Sequence, residues 1–284
     1  MLYVSTGGIA DKPAWQTSQA FLEAGIRSVE LSGGQYDRDN LARLKLMVDI
    51  VNFQVHNYFP PPEIPFVFNL ASLDSETHRT SFEHAKKAIR WGIELDRPVY
   101  SFHAGFLLDP DVSELGKRVG NRPLFDREQA LVVFIESVND LAEFARQEGA
   151  RLLIENNVLS ANNYRVFGAN PFLVASADEA RYVMENTSSN VHLLVDVAHL
   201  KVSANSLGFD PVAFLEECHT WIEAYHLSDN DGTRDSNEPI KLDSWFWPHL
   251  KRGLDYYSLE IYNIETEGLL EQVRITEEKL SPNQ

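Results

Sequence analysis

Only one cysteine, Cys218, occurs in the 284 residues, so no intrachain disulfide can form. No apolar run approaches the ~20 residues that cross a bilayer as a helix. The opening Met1-Leu2-Tyr3-Val4-Ser5 lacks the basic and apolar regions of a secretory leader. A cytoplasmic protein with no membrane partner is expected. Positive charge is scarce: 25 Lys and Arg face 42 Asp and Glu, giving a net charge of −17 and a pI near 4.9. No Lys/Arg cluster offsets this, so nucleic acid is not an expected partner. A Gly-x-Gly-x-x-Gly phosphate loop is also missing. After the first apolar run the chain reads Ser5-Thr6-Gly7-Gly8-Ile9-Ala10, which argues against a dinucleotide fold. There is no low-complexity tract, linker or short repeat.

What is present is ordinary soluble material, 44% hydrophobic and 24% charged. Short apolar runs alternate with helical stretches. The runs are Leu2–Thr6, Ser28–Ser32, Phe53–Phe59, Val99–Gly105, Arg151–Asn157, Val191–Asp196, Ile222–Asp229 and Tyr257–Tyr262. Helical spacing or caps mark Pro13–Arg27, Asp39–Asp49, Ser75–Leu95, Asp126–Gln147, Ser176–Asn186, Asp210–Trp221 and Glu267–Leu280, with a short helix near Trp245 and Trp247. Long loops are expected at Asp109–Pro123 and Val158–Pro171. Their Arg118, Arg122, Tyr164 and Arg165 are expected to shape a pocket. Eight strands alternating with helices predict one domain over 1–284, a (β/α)₈ TIM barrel. A doubly wound open sheet is the alternative.

The strands end in polar side chains: His56, His103, Glu155, Asp196, His226 and Glu260. In a parallel barrel those ends share one mouth. Each has a plain alternative. His56 could bond a rim carbonyl, His103 could pack at its turn, Asp196 could cap a helix, and Asp229 could simply orient His226. Glu155 and Glu260 are harder to explain that way, because a carboxylate ending an apolar strand is costly to desolvate unless paired or metal-bound. Carboxylates with neutral imidazoles suit one divalent ion, Mn²⁺, Zn²⁺, Mg²⁺ or Co²⁺. Three carboxylates lean towards Mn²⁺ or Mg²⁺. Cys218 falls within a helix, where packing is its expected role.

Four segments taken together resemble the xylose-isomerase-like TIM-barrel superfamily, which joins sugar isomerases and epimerases to family 2 (endonuclease IV-type) AP endonucleases. They are Leu153-Ile154-Glu155-Asn156, Asp196-Val197-Ala198-His199, His226-Leu227-Ser228-Asp229-Asn230-Asp231-Gly232 and Ser258-Leu259-Glu260. The resemblance implies that Glu155, Asp196, His226 and Glu260 hold the metal. His199 then meets substrate or, in the nuclease branch, a further zinc. Phe68-Asn69-Leu70-Ala71-Ser72 and Phe102-His103-Ala104-Gly105 are similar to nuclease segments, in which residues matching His56 and His103 bind another zinc. The Asp-Arg-His of that branch is missing: the region reads Arg234-Asp235-Ser236-Asn237.

The function implied is therefore a metal-dependent sugar or sugar-phosphate isomerase/epimerase. By resemblance, Glu155 and Glu260 are catalytic and exchange a proton through a metal-stabilised enediolate. His199, His56, His103 and Arg234 are candidates for substrate binding. A metal-dependent dehydratase, an endonuclease IV-like phosphodiesterase and a non-catalytic sugar-binding barrel are the alternatives. Barrels of this kind often associate, which leaves a homo-oligomer open, and no interface patch stands out.

Overall fold

Parallel strands covered on both faces need one apolar layer from helices outside and another along the barrel axis. The computed structural model describes residues 1–114 and 119–281, and its eight strands meet both needs. They are β1 (Leu2–Ser5), β2 (Ser28–Leu31), β3 (Asn52–His56), β4 (Val99–His103), β5 (Arg151–Glu155), β6 (Val191–Asp196), β7 (Ile222–Leu227) and β8 (Tyr257–Leu259). All pair in parallel with their sequence neighbours, and β1 pairs with β8, so the sheet closes into a barrel. The predicted (β/α)₈ architecture is the observed one, and the open-sheet alternative falls.

The helices are α1 (Ala14–Glu23), α2 (Asn40–Lys45), α3 (Ser75–Glu94), α4 (Arg127–Gln147), α5 (Ala161–Phe167), α6 (Ala177–Glu185), α7 (Val197–Leu207), α8 (Pro211–Cys218) and α9 (Thr266–Leu280). Outward strand residues such as Val29, Phe53, Leu152 and Val195 join the buried faces of these helices in one large core. A separate cluster of Tyr3, Val99, Leu153, Leu194, Ala224 and Tyr256 fills the axis. Successive side chains on a strand point to opposite faces. The axial residues two positions further on from Leu153, Leu194 and Ala224 are Glu155, Asp196 and His226, so the floor of the mouth is packed shut beneath the polar strand ends.

Several boundaries differ from the sequence expectation. The segment from residue 158 to 171, expected as a loop, contains α5. Ser160 caps it by accepting from the Asn163 N–H, and Gly168 ends it at φ 67°. Two helices, not one, lie between β6 and β7, because α7 starts directly at the end of its strand. The helix expected over Asp39–Asp49 is α only to Lys45. Near Trp245 only a 3₁₀ turn forms, at Trp247–His249. β3 stops at His56 because Asn57 turns the chain at φ 47°. β8 stops at Leu259. Beyond it the Glu260 N–H donates to Leu227 O and the Tyr262 N–H to Asn237 O, so the chain leans onto the β7 side.

The nuclease-like Asn69 serves as a structural latch. Its Nδ2 donates to Phe106 O, Leu108 O and the Asp109 carboxylate, and its Oδ1 accepts from the Ala71 and Phe106 N–H groups. The loops after β3 and β4 are thereby tied together. Arg118 lies outside the described residues. Arg122 bonds Asp109 O and Glu114 within its own loop, while Tyr164 and Arg165 are exposed on α5. Among the described residues, no helix is long and apolar enough to cross a membrane.

Candidate metal centre

Strand register assembles the centre. β4 and β5 align His103 with Glu155, and β6 and β7 align Asp196 with His226. The Asn156 side chain extends that ladder, donating to Asp196 O and accepting from the Asp196 N–H at 2.8 Å. Ligand atoms of Glu155, Asp196, His226 and Glu260 lie within 4.8 Å of one another. All four residues are buried.

The polar atoms there are short of partners. Both oxygens of Glu155, Oδ2 of Asp196 and Nδ1 of His226 are buried with no hydrogen bond. His226 Nδ1 lies 3.3 Å from Glu155 Oε1 and 3.6 Å from Glu260 Oε2, without hydrogen-bond geometry at Glu155. Buried polar atoms are seldom left this way, and four converging on one point fit a cation. The donor set is oxygen-rich with one imidazole, which suits a hard or borderline divalent ion.

Asp196 is both things the sequence allowed. Its Oδ1 caps α7 by accepting from the Ala198 and His199 N–H groups at 2.7 and 2.8 Å, and its Oδ2 faces the centre. Glu260 is held through Oε1, which accepts from the Ser5 and Tyr262 hydroxyls at 3.3 and 3.4 Å. The Tyr262 ring lies so close to the Gly7–Gly8 backbone that a Cβ on either glycine would run into it. Asp229 does not reach His226. It bonds Lys201 and Ser244 and pins the loop after β7.

The other sequence-expected residues divide. His56 and His103 adjoin the centre: His56 Nε2 and His103 Nδ1 both lie 3.2 Å from Glu155 Oε2. These three residues form a second ligand cluster that shares Glu155 with the first. His199 is buried beside both Glu155 and Asp196. Its Nδ1–H donates to Asn156 O at 3.0 Å and its Nε2 meets Asp235 Oδ2 at 3.2 Å. Arg234 is exposed; its neighbour Asp235 is the residue that turns inward to His199.

Glu30, in the middle of β2, is the residue the sequence reading passed over. It is fully buried, and its Oε2 accepts from the Tyr256 hydroxyl at 2.5 Å and from His226 Nε2 at 2.9 Å. Tyr256 Oη lies 3.0 Å from Ser101 Oγ, which lies 3.0 Å from His56 Nδ1. An ionised carboxylate only accepts, so the donors order themselves towards it. His56 Nδ1–H donates to Ser101, Ser101 to Tyr256, and Tyr256 to Glu30. His226 Nε2–H donates to Glu30 directly. Both imidazoles then present a lone pair to the centre, as metal ligands must.

The electrostatics agree for His56, whereas His226 has to give up a proton before its Nδ1 can serve as a ligand. Burial alone would raise the Glu30 pKa, but His226, His56 and the Tyr256 hydroxyl bring it down to about 2. Burial lowers His56 to about 3 despite Glu155, which keeps it neutral. Burial raises Asp196 to about 6, with His199 opposing and Glu155 and Asp235 reinforcing. Burial likewise raises Glu260 to about 8, against His226 and with the help of Glu155, Glu30 and Asp196. His226 loses stability as a cation by burial, yet Glu30, Glu155 and Glu260 raise it well above the usual imidazole range. In the metal-free chain, protons stand in for the missing positive charge.

Two expected outcomes follow from this arrangement. Glu260, His226 and His199 have raised pKa values, so they bind protons more tightly folded than unfolded. Their stabilisation is complete at low pH and is lost as pH rises. His56 and His103, whose pKa values are lowered, oppose this only below about pH 6.5. The partly buried amine of Met1, also lowered, is a smaller opposing group. The melting temperature of chelator-treated protein should therefore fall between about pH 6.5 and 8, and the increase on adding Mn²⁺ should be larger at pH 8. A metal-induced increase that ignores pH would contradict the assignment. Separately, Glu30→Gln should weaken Mn²⁺ or Zn²⁺ binding by about 10–100-fold in calorimetric titration while the circular dichroism spectrum is retained.

The family model described as "Xylose isomerase-like TIM barrel" matches residues 19–275. No curated protein sequence matches the chain. Among solved structures, a D-tagatose 3-epimerase-like protein is 18% identical, with TM-score 0.73, over 98% of this chain and 96% of the other. An L-ribulose 3-epimerase is 16% identical, with TM-score 0.65, over 96% of this chain and 86% of the other. A family 2 AP endonuclease from Brucella melitensis is 15% identical, with TM-score 0.65, over 96% and 98%. At such identities the structural likeness speaks for the fold, while the family match spans most of the chain: it belongs to the xylose isomerase-like TIM-barrel family.

Proposed function

We propose that the protein is a metal-dependent sugar isomerase or epimerase. The observation that carries this reading is the pair Glu155, at the end of β5, and Glu260, just past β8, with His226 Nδ1 between them at 3.3 and 3.6 Å. Their environments are unequal. Glu155 has no hydrogen-bond donor and is held well below the usual carboxylate range: burial would raise it, but His103, His226 and His56 outweigh that. Glu260 is pushed up to about 8 by burial and has two hydroxyls on Oε1. Carboxylates whose pKa values are pushed apart are suited to opposite proton-transfer roles.

Glu155, Asp196, His226 and Glu260 would hold the ion, which would supply positive charge beside a sugar carbonyl oxygen and so acidify the neighbouring C–H. One glutamate takes the proton from that carbon, and the other returns a proton to the same carbon from the opposite face or to its neighbour. The carbon skeleton undergoes no net redox change in epimerisation. His199, fixed between Asn156 O and Asp235, and His103, the most open imidazole of the group, are suited to sugar hydroxyls. The closed floor beneath the centre keeps water from entering along the barrel axis.

The test uses D-tagatose and L-ribulose, the sugars in the names of the related structures, together with other ketoses. Incubated in D₂O with Mn²⁺-loaded protein, an accepted sugar should gain deuterium at the carbon beside its carbonyl. Glu260→Gln at saturating metal should slow exchange by about 10²–10⁴-fold. Absence of exchange with every ketose, while metal is bound, would sink the proposal.

A second reading rests on the cluster of His56, His103 and Glu155. Two ions bridged by Glu155 would suit phosphodiester hydrolysis, the direction in which the AP endonuclease likeness points. The net charge of −17 works against a nucleic-acid substrate. Elemental analysis of the purified protein should give one divalent ion per chain; two would favour the second reading.

A further inference from the structure

Beside the centre, between the loop leaving β1 and the loop entering α9, lies a crevice of about 240 Å³. Ser5 and Tyr262 line it, and the hydroxyls of both also donate to Glu260 Oε1, so the crevice and the centre share a wall. Among the described residues its lining holds one charged side chain, and that is a cation. Lys12 lines it and is half-buried. Among the described residues Lys12 pairs with no carboxylate, which leaves its ammonium open to a ligand in the crevice.

Thr17, also in the lining, has a buried hydroxyl with no hydrogen-bond partner. The next residue, Ser18, shows the usual solution on a helix and donates to Ala14 O at 2.9 Å. Thr17 does not take that option. The start of α9 at Thr266 completes the lining. Glu265 gives it no side-chain cap, so the first-turn N–H groups and the positive end of the helix dipole are left available. Glu265 and Glu267 flank Thr266 but are exposed and do not line the crevice. The N–H of Gly8 likewise has no protein acceptor among the described residues.

We propose that this crevice takes a phosphate group carried by the sugar on which the neighbouring centre acts, a proposal that rests on the isomerase or epimerase reading. An ammonium, an uncapped 15-residue helix start and a free hydroxyl are donors without acceptors of their own. A phosphate supplies acceptor oxygens and negative charge together. The substrate class is then a phosphorylated ketose, its phosphate in the crevice and its reacting carbons between Glu155 and Glu260.

The experiment titrates chelator-treated full-length protein with inorganic phosphate by calorimetry, alongside Lys12→Met and Thr17→Val. Saturable binding of one phosphate per chain is expected, weakened about tenfold or more in Lys12→Met. Thr17→Val, which nearly conserves volume, should weaken it several-fold and carries the test if the lysine variant does not fold. No saturable binding by the parent, or undiminished binding in the folded variants, overturns the proposal. Deuterium exchange into unphosphorylated ketoses without phosphate binding would remove the crevice and leave the enzymatic reading. Phosphate binding by a chain that exchanges no ketose would do the reverse.

Discussion

Glu30 is the anchor on which the centre depends. A carboxylate buried in the middle of a barrel strand must collect donors or lose its charge. Here it collects the Tyr256 hydroxyl and His226 Nε2 directly, and His56 through Ser101 and Tyr256. The direction of these bonds follows from the one group that can only accept. Two imidazoles on different strands are thereby fixed in the form whose free nitrogen faces the mouth. Once His226 gives up its Nδ1 proton, the centre-facing oxygens of Glu155, Asp196 and Glu260 meet imidazole lone pairs, and an ion is the partner that satisfies them all.

Much of this was legible in the sequence. The strand endings Glu155, Asp196, His226 and Glu260 stood out because each closes an apolar run, and a parallel barrel brings such endings to one face. Four strand-end side chains do gather there within 4.8 Å. Glu30 escaped because it lies inside its strand, between Val29 and Leu31, and attention to endings passes over such a residue. The signal was present all the same: a charge flanked by apolar residues in a strand covered on both faces has to be paired. Asp235 escaped for another reason. Its approach to His199 depends on the path of a polar loop, and no periodicity encodes that path.

The misjudged elements have similarly local causes. α7 begins with Val197-Ala198-His199-Leu200, an apolar continuation of β6, so strand and helix run together in composition. The break between them is made by one side-chain oxygen of Asp196. α5 is only 7 residues long and polar, with its cap at Ser160 and its stop at Gly168 as the sole marks. Asn69 carried a resemblance to nucleases, yet its five hydrogen bonds hold two loops together.

The divided carboxylate of Asp196 also governs which substitutions the site can accept. Oδ1 must stay an acceptor for two N–H groups, while Oδ2 must stay a bare negative oxygen. Asparagine would keep the first and lose the second. Glutamate would keep the charge on a stem one methylene longer, which suits an N-cap poorly. Alanine would lose both and unfasten the start of α7. The position is therefore closed to gradual change: asparagine keeps the cap but gives up the negative oxygen, while glutamate or alanine also disturbs the backbone leading to His199, so a site of this design can be abandoned more readily than it can be adjusted.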